Sequence, residues 1–266
     1  MRIRRRTAVI LAIAGVVALG ATGIALAAAS STATFHFSPV KVPKKKFHKG
    51  AISVHTHTTY TNPGNANPGG STERAQLFFD DDFKFTTKGV PQCNPASVSG
   101  SGIDMAAAMA ICGNAKVGQG TAHATANGAY DIPGCVLAFN GTKSGSKPTI
   151  VLYTRVQTAP PPNNTISCAN PSSNHQGNTT VVLQGVLRKA TGDFGKQLDV
   201  NHIQAAAPVP LTDFKTKVKR GKYVSARCHD KNHKWNMKTV FTYGNGSGGG
   251  GAKQTVKSSQ KCKVKH

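Results

Sequence analysis

Acid is what this sequence lacks most. Of its 266 residues only ten are Asp or Glu, against 33 Lys and Arg, and Glu73 is the single glutamate. Carboxylates this few and scattered give no motivated acid–base pair across a cleft, which glycoside hydrolysis requires. Aromatics are 6% of the chain, with one Trp and five Tyr. They offer few stacking platforms for bases, and no module for specific nucleic-acid recognition is visible. No C-x-x-C pair supplies a zinc spacing. No G-x-S-x-G elbow, P-loop or strand-borne G-x-G-x-x-G is present. No metal or cofactor is therefore expected, and an enzymatic role has no catalytic residue behind it. With 28 Gly and 14 Pro the chain is also poor in helix-forming runs, so a helical bundle is excluded. Hydrophobic residues at 38% still permit a packed core.

What is present begins at the N-terminus. Arg2, Arg4, Arg5 and Arg6 precede an uncharged apolar run, Ala8 to Ala29, that ends in Ala25-Leu26-Ala27 and Ala27-Ala28-Ala29. A basic head, an apolar stretch and an A-x-A end describe a secretory signal peptide over residues 1–29. An uncleaved signal-anchor helix is the alternative, because a run of this length can span a bilayer. Residues after Arg5-Arg6 do not complete a twin-arginine pattern, so general secretion is the expected route. The body, residues 30–266, is then extracellular or envelope-associated, touching membrane only if the helix is retained. Six cysteines agree with export: Cys93, Cys112, Cys135, Cys168, Cys228 and Cys262. An even count in an exported chain reads as three disulfides, with fifteen pairings possible. Sequential pairing is expected: Cys93–Cys112, Cys135–Cys168 and Cys228–Cys262. Each would contribute about 3 kcal/mol by closing a short loop.

The body alternates in short Thr- and Val-rich runs separated by Gly, Pro, Asn and Ser. Strands are expected over 32–42, 51–61, 74–87 (broken at Asp80-Asp81-Asp82), 117–129, 135–139, 149–157, 180–187, 198–204, 213–219, 223–228, 235–243 and 254–264. Residues 62–72 and the glycine run 244–251 read as connectors. Ile103 to Ile111, rich in Ala and Met and closed by Cys112-Gly113, is the one helix. The expected fold is a single all-β domain: a disulfide-stapled β-sandwich, Ig-like or jelly-roll-like, or a barrel, with one short helix near 103–112 and the N-terminal signal helix.

Several phrases carry a resemblance: Val90-Pro91-Gln92-Cys93, then Cys112 and Ala115-Lys116-Val117-Gly118-Gln119-Gly120, Ala138-Phe139-Asn140-Gly141, Gly185-Val186-Leu187, Gly192-Asp193-Phe194-Gly195, Val224-Ser225-Ala226-Arg227-Cys228 and Phe241-Thr242-Tyr243. Their order resembles a group of uncharacterised exported β-rich proteins of high-GC actinobacteria, over most of residues 75–262. The resemblance implies secretion, disulfides and a β-rich body. It implies no activity and supplies no catalytic residue.

Weaker constellations have plainer readings. His55 and His57 stand two apart on one strand face, without an identifiable third metal ligand. Asp80-Asp81-Asp82 lacks the spacing of a calcium loop and reads as a solvated turn or strand kink. Charge carries the one positive hint. From Phe214 to His266 there are fourteen Lys and Arg against a single acid, Asp230. Alternation sets Lys215, Lys217 and Lys219 in one row and Lys261, Lys263 and Lys265 in another. Such rows raise a positive potential that attracts anionic cell-wall polymers or lipid headgroups. The expected function is a non-enzymatic exported protein associated with the envelope or matrix through its basic terminal segments. The alternative is a secreted hydrolase or carbohydrate-binding module with an unrecognised cleft.

Overall fold

The computed structural model describes residues 29–60, 71–126, 130–159, 162–163, 165–203, 209–229, 232–244 and 251–265. The expected signal segment lies outside these residues except for Ala29, as do most of the two connectors. Among the described residues no helix is long and apolar enough to cross a membrane. The strands are β1 (Ala29–Ser38), β2 (Lys41–Pro43), β3 (His48–Lys49), β4 (Ala51–Tyr60), β5 (Ser71–Asp80), β6 (Phe83–Phe85), β7 (Lys116–Ala126), β8 (Tyr130–Ser144), β9 (Lys147–Val156), β10 (Thr179–Lys189), β11 (Phe194–Val200), β12 (Leu211–Val218), β13 (Val224–Ala226), β14 (Lys234–Gly244), β15 (Lys253–Lys261) and β16 (Lys263–Lys265). The helix α1 covers Met105–Cys112. The body is thus all-β, disulfide-stapled and carries one short α-helix.

Eleven strands form one sheet in the order β1-β4-β12-β7-β8-β9-β10-β11-β5-β14-β15. Every ladder in it is antiparallel. With an odd number of alternating strands the first and last run the same way, so β1 and β15 meet as parallel neighbours. Glutamine side chains hold that seam. Gln254 accepts from the Ser31 amide at 2.6 Å and donates to the Ser31 carbonyl at 3.0 Å. Gln260 accepts from the Phe37 amide at 2.6 Å and donates to the Phe37 carbonyl at 2.9 Å. The same step separates Ser31 from Phe37 and Gln254 from Gln260, as parallel strands require. Each primary amide copies the donor and acceptor of a peptide group, and the sheet is drawn nearly closed.

Alternation explains the two faces. Along β1 the side chains of Ala29, Ser31, Ala33, Phe35 and Phe37 are buried, while Ser30, Thr32, Thr34, His36 and Ser38 between them are exposed. Inside, Phe37 meets Trp235 edge-to-face at 5.1 Å and Phe83 at 5.5 Å. The Trp235 indole donates to the Arg227 carbonyl at 2.7 Å, so its polar edge is satisfied in the core.

A second core lies on the outer side of β8 and β9. There Leu137, Phe139, Val151 and Tyr153 pack under Met105 and Ala108 of α1. The Asp104 carboxylate caps α1 by accepting from the Ala107 amide at 2.8 Å. Buried Arg155 ties this cover down, donating to the carbonyls of Ser101 and Gly177 and to the Thr180 hydroxyl.

Three disulfides form: Cys93–Cys112, Cys135–Cys168 and Cys228–Cys262, with Cα separations of 5.4, 5.3 and 5.9 Å. The first fastens the end of α1, the second holds the 168 loop to β8, and the third closes the base of the β14–β15 hairpin. Three bridges with no free thiol among the cysteines suit an oxidising compartment.

Candidate functional site

The expected lysines sit where alternation puts them. Lys215 and Lys217 on β12, and Lys219 just beyond it, are exposed on the outer face, with Val218 buried inward between the last two. Lys261 ends β15, and Lys263 and Lys265 lie on β16; all three are exposed, with Cys262 buried between the first two.

The second row is longer than the sequence pattern indicated. On β15, Lys253 and Lys257 are exposed in line with Lys261, about 13 Å apart along the strand. Across the ladder, Lys234 stands opposite Lys261 and Lys238 opposite Lys257. In the small parallel pair, Lys263 stands beside Lys41. Like charges directly opposite one another destabilise a sheet. Among the described residues none of Lys234, Lys238, Lys253, Lys257, Lys261, Lys263 and Lys265 has an ion-pair partner. Lys238 instead lies over the Phe78 ring, 4.2 Å from its centre.

Between the two lysine rows run the outer faces of β1 and β4. They present Thr32, Thr34 and His36, then Ser53, His55, His57 and Thr59. Strands β4 and β1 and the glutamine-bridged seam separate the two rows. The whole face therefore carries hydroxyls and imidazoles bordered by ammonium groups. Its one described acid is Asp213, which is already engaged. His55 Nε2 lies 2.6 Å from the Asp213 carboxylate and Lys215 Nζ 3.1 Å from it, with His57 at 3.7 Å. Burial pushes the Asp213 carboxyl up, but the hydrogen bonds and charges of His55 and Lys215 outweigh it and hold the group below its usual range.

Other described acids are also taken. Asp199, buried on β11, receives a bidentate pair of bonds from Arg74, both 2.7 Å, and faces Arg188 at 3.3 Å. Asp131 bonds His123 at 2.7 Å, and Asp104 bonds His175 at 2.7 Å. The Ala107 amide and His175 together hold the Asp104 carboxyl below its usual range.

The acidic triplet is a strand corner, as expected; Asp81 is exposed there, but Asp80 and Asp82 are buried rather than solvated. Its three carboxylates lie within 4.8 Å of one another. Asp82 is fully buried, accepting from Arg227 Nε at 2.8 Å and from the His229 amide at 2.7 Å. Asp80 accepts from the amides of Asp82 and Asn236. Burial raises its pKa to about 6. The oxygens of Asp80 and Asp82 latch the β5–β6 corner to the segments around β13 and β14, while Asp81 between them stays exposed, 3.7 Å from Arg227. His229 and His233, four residues apart in the sequence, belong to no metal-ligating group among the described residues.

The sheet interior is incompletely filled. A cavity of about 110 Å³ lies between β4, β5, β9, β10, β11, β12 and β14. No charged side chain lines it. Leaving such a volume empty costs on the order of 2–3 kcal/mol relative to a filled core.

Sequence reasoning missed Lys234, Lys238, Lys253 and Lys257. The signal was available: two alternating runs flanking a glycine connector make a hairpin, and its register sets these residues opposite one another. Arg74–Asp199 and Asp82–Arg227 carried no local signal, because their partners are more than a hundred residues apart. Comparison with protein-family models, curated proteins and solved structures found no match.

Proposed function

We propose that this is an exported, non-enzymatic protein that associates with anionic polymers of the cell envelope. The face built from β14, β15, β1, β4 and β12 is the binding surface. One observation carries the reading: lysines stand opposite lysines on the β14–β15 hairpin and in the β2–β16 pair, with no acid between them among the described residues. Each such pairing opposes folding, and a polyanion lying along the rows would reverse that sign. Hydroxyl and imidazole groups between the rows supply hydrogen bonds to phosphate or carboxylate oxygens without adding negative charge. The three disulfides accord with an extracellular location, and the basic, apolar, A-x-A leader at residues 1–29 accords with export by the general secretory route.

The test is retention of the purified protein on isolated wall material across a salt series. Screening falls from a Debye length of about 10 Å at 0.1 M to about 3 Å at 1 M. Binding should therefore be strong at low salt and lost towards 1 M. Retention that ignores salt would overturn the reading.

A further inference from the structure

We infer that the sheet interior is a binding site for a small, neutral, mostly apolar molecule bearing one hydrogen-bonding oxygen. The inference is independent of the basic outer face. It starts from uneven packing. Where Phe37, Phe83 and Trp235 meet, the interior is filled. Between β10, β11 and β12 it is not. Leu183, Leu198, Leu211 and Phe214 point into the sheet yet stay only half-buried, because they face the cavity of about 110 Å³. A space of this size, walled by aliphatic and aromatic groups, holds one aromatic ring or a short alkyl chain, and apolar cavities of comparable volume stay dry and take up such molecules.

Two hydroxyls in the lining give the ligand its polar requirement. The oxygens of Thr216 and Tyr223 are buried and have no hydrogen-bond partner. Buried polar groups are ordinarily paired. Tyr223 is 2% exposed, and burial pushes its hydroxyl pKa far up, so it remains a neutral donor. The lining has no charged group to neutralise an ion, and an unpaired charge would not leave water for it. Short alcohols, ketones and phenols fit; fatty acids and amines do not.

Benzene and phenol, titrated separately into the intact protein, test this. Binding is followed by calorimetry and by the methyl resonances of Leu183, Leu198 and Leu211. Both probes should bind saturably, one per chain, and ring currents should move those three residues. Phenol should bind about fivefold tighter than benzene, which is the worth of one hydrogen bond to a buried hydroxyl. Tyr223→Phe combined with Thr216→Val, which removes both unpaired hydroxyls, should erase that preference and leave benzene binding unchanged. Leu198→Phe, and separately Leu183→Phe on the neighbouring strand, should fill the space and weaken both probes at least tenfold while the protein still melts cooperatively. Absence of saturable binding to the unsubstituted protein would overturn the inference. So would shifts confined to residues outside the cavity, or undiminished binding by either filled variant. Equal affinity for phenol and benzene would overturn the assignment of the polar group.

Discussion

Replacing Gln260 by Met is the sharpest probe of how this sheet closes. Methionine keeps the length and apolar stem of glutamine but loses both bonding atoms. The Phe37 amide and carbonyl would then face β15 with no partner, having been bonded at 2.6 and 2.9 Å. Phe37 itself is 0% exposed, so water cannot readily take over. Two lost bonds of about 1 kcal/mol each, plus part of the desolvation of the stranded groups, give a destabilisation of about 2–4 kcal/mol. For a chain of this size that corresponds to a fall in melting temperature of roughly 5–12 °C. Amide hydrogen exchange localises the effect: Phe37 should exchange much faster, while Ser31, still bracketed by Gln254, should not. Gln260→Glu keeps an acceptor for the Phe37 amide but sets a carboxylate oxygen against the Phe37 carbonyl, so it too should destabilise, and more at neutral pH than at a pH where the carboxyl is protonated and can donate. A Met variant that melts within about a degree of the parent, with Phe37 still protected, would refute the seam.

Other expectations follow from the buried charges and bridges. Asp82→Asn should destabilise by about 1–3 kcal/mol, because the charge-assisted bond from Arg227 is lost while Arg227 keeps Asp81 at 3.7 Å; denaturant melts read this directly. Reducing Cys228–Cys262 alone, as a double Ser variant, should cost about 2–5 kcal/mol in the same melts. Asp80 should titrate with a midpoint near pH 6 by carboxyl NMR, since burial raises it from 3.8, and a midpoint near 4 contradicts its burial. Its protonated form is favoured by the fold, so its contribution to stability is complete below about pH 4 and lost as pH rises through about 6. Asp104 and Asp213 act oppositely, being held down: their contribution is present above the ordinary carboxyl range and lost as pH falls through their lowered values.

The strands were largely legible because alternation is a local property. Ala51 to Tyr60 and Leu211 to Val218 fall within two residues of the runs that Thr, Val and Lys patterning marked. The break at Asp80–Asp82 was likewise visible. The lengths of β8 and β11 were not: Asn140 and Gly141 read as turn residues yet sit inside β8, where Asn140 donates to the carbonyls of Val90 and Pro91. Those partners come from a distant loop. The cysteine pairing followed from short loops, whereas the single nearly closed sheet depended on β1 meeting β15 across more than two hundred residues. On the outer face, Lys215, Lys217 and Lys219 could be placed from β12 alone, but the opposition of Lys234 to Lys261 needed the hairpin register. The cavity had no sequence signal, since Leu183, Leu198 and Phe214 look like ordinary core residues until the strands opposite them are known.

Affinity for a soluble polyol-phosphate polymer, measured as a function of salt for the parent protein and two triple variants, decides whether the lysine rows bind polyanions. Lys253, Lys257 and Lys261 are changed together to Gln in one, and Lys215, Lys217 and Lys219 in the other. These side chains face water, so both variants should fold; the first should melt no lower than the parent, since it removes two lysine oppositions, and the second slightly lower, since Asp213 loses Lys215. If each lysine meets one phosphate, the slope of log affinity against log salt should shallow by about two in each variant, given roughly 0.7–0.9 per neutralised phosphate on nucleic acids. Affinity at 0.1 M salt should fall at least tenfold. Slopes and affinities indistinguishable from the parent in both variants would contradict the account and leave the lysines as a solubilising surface alone.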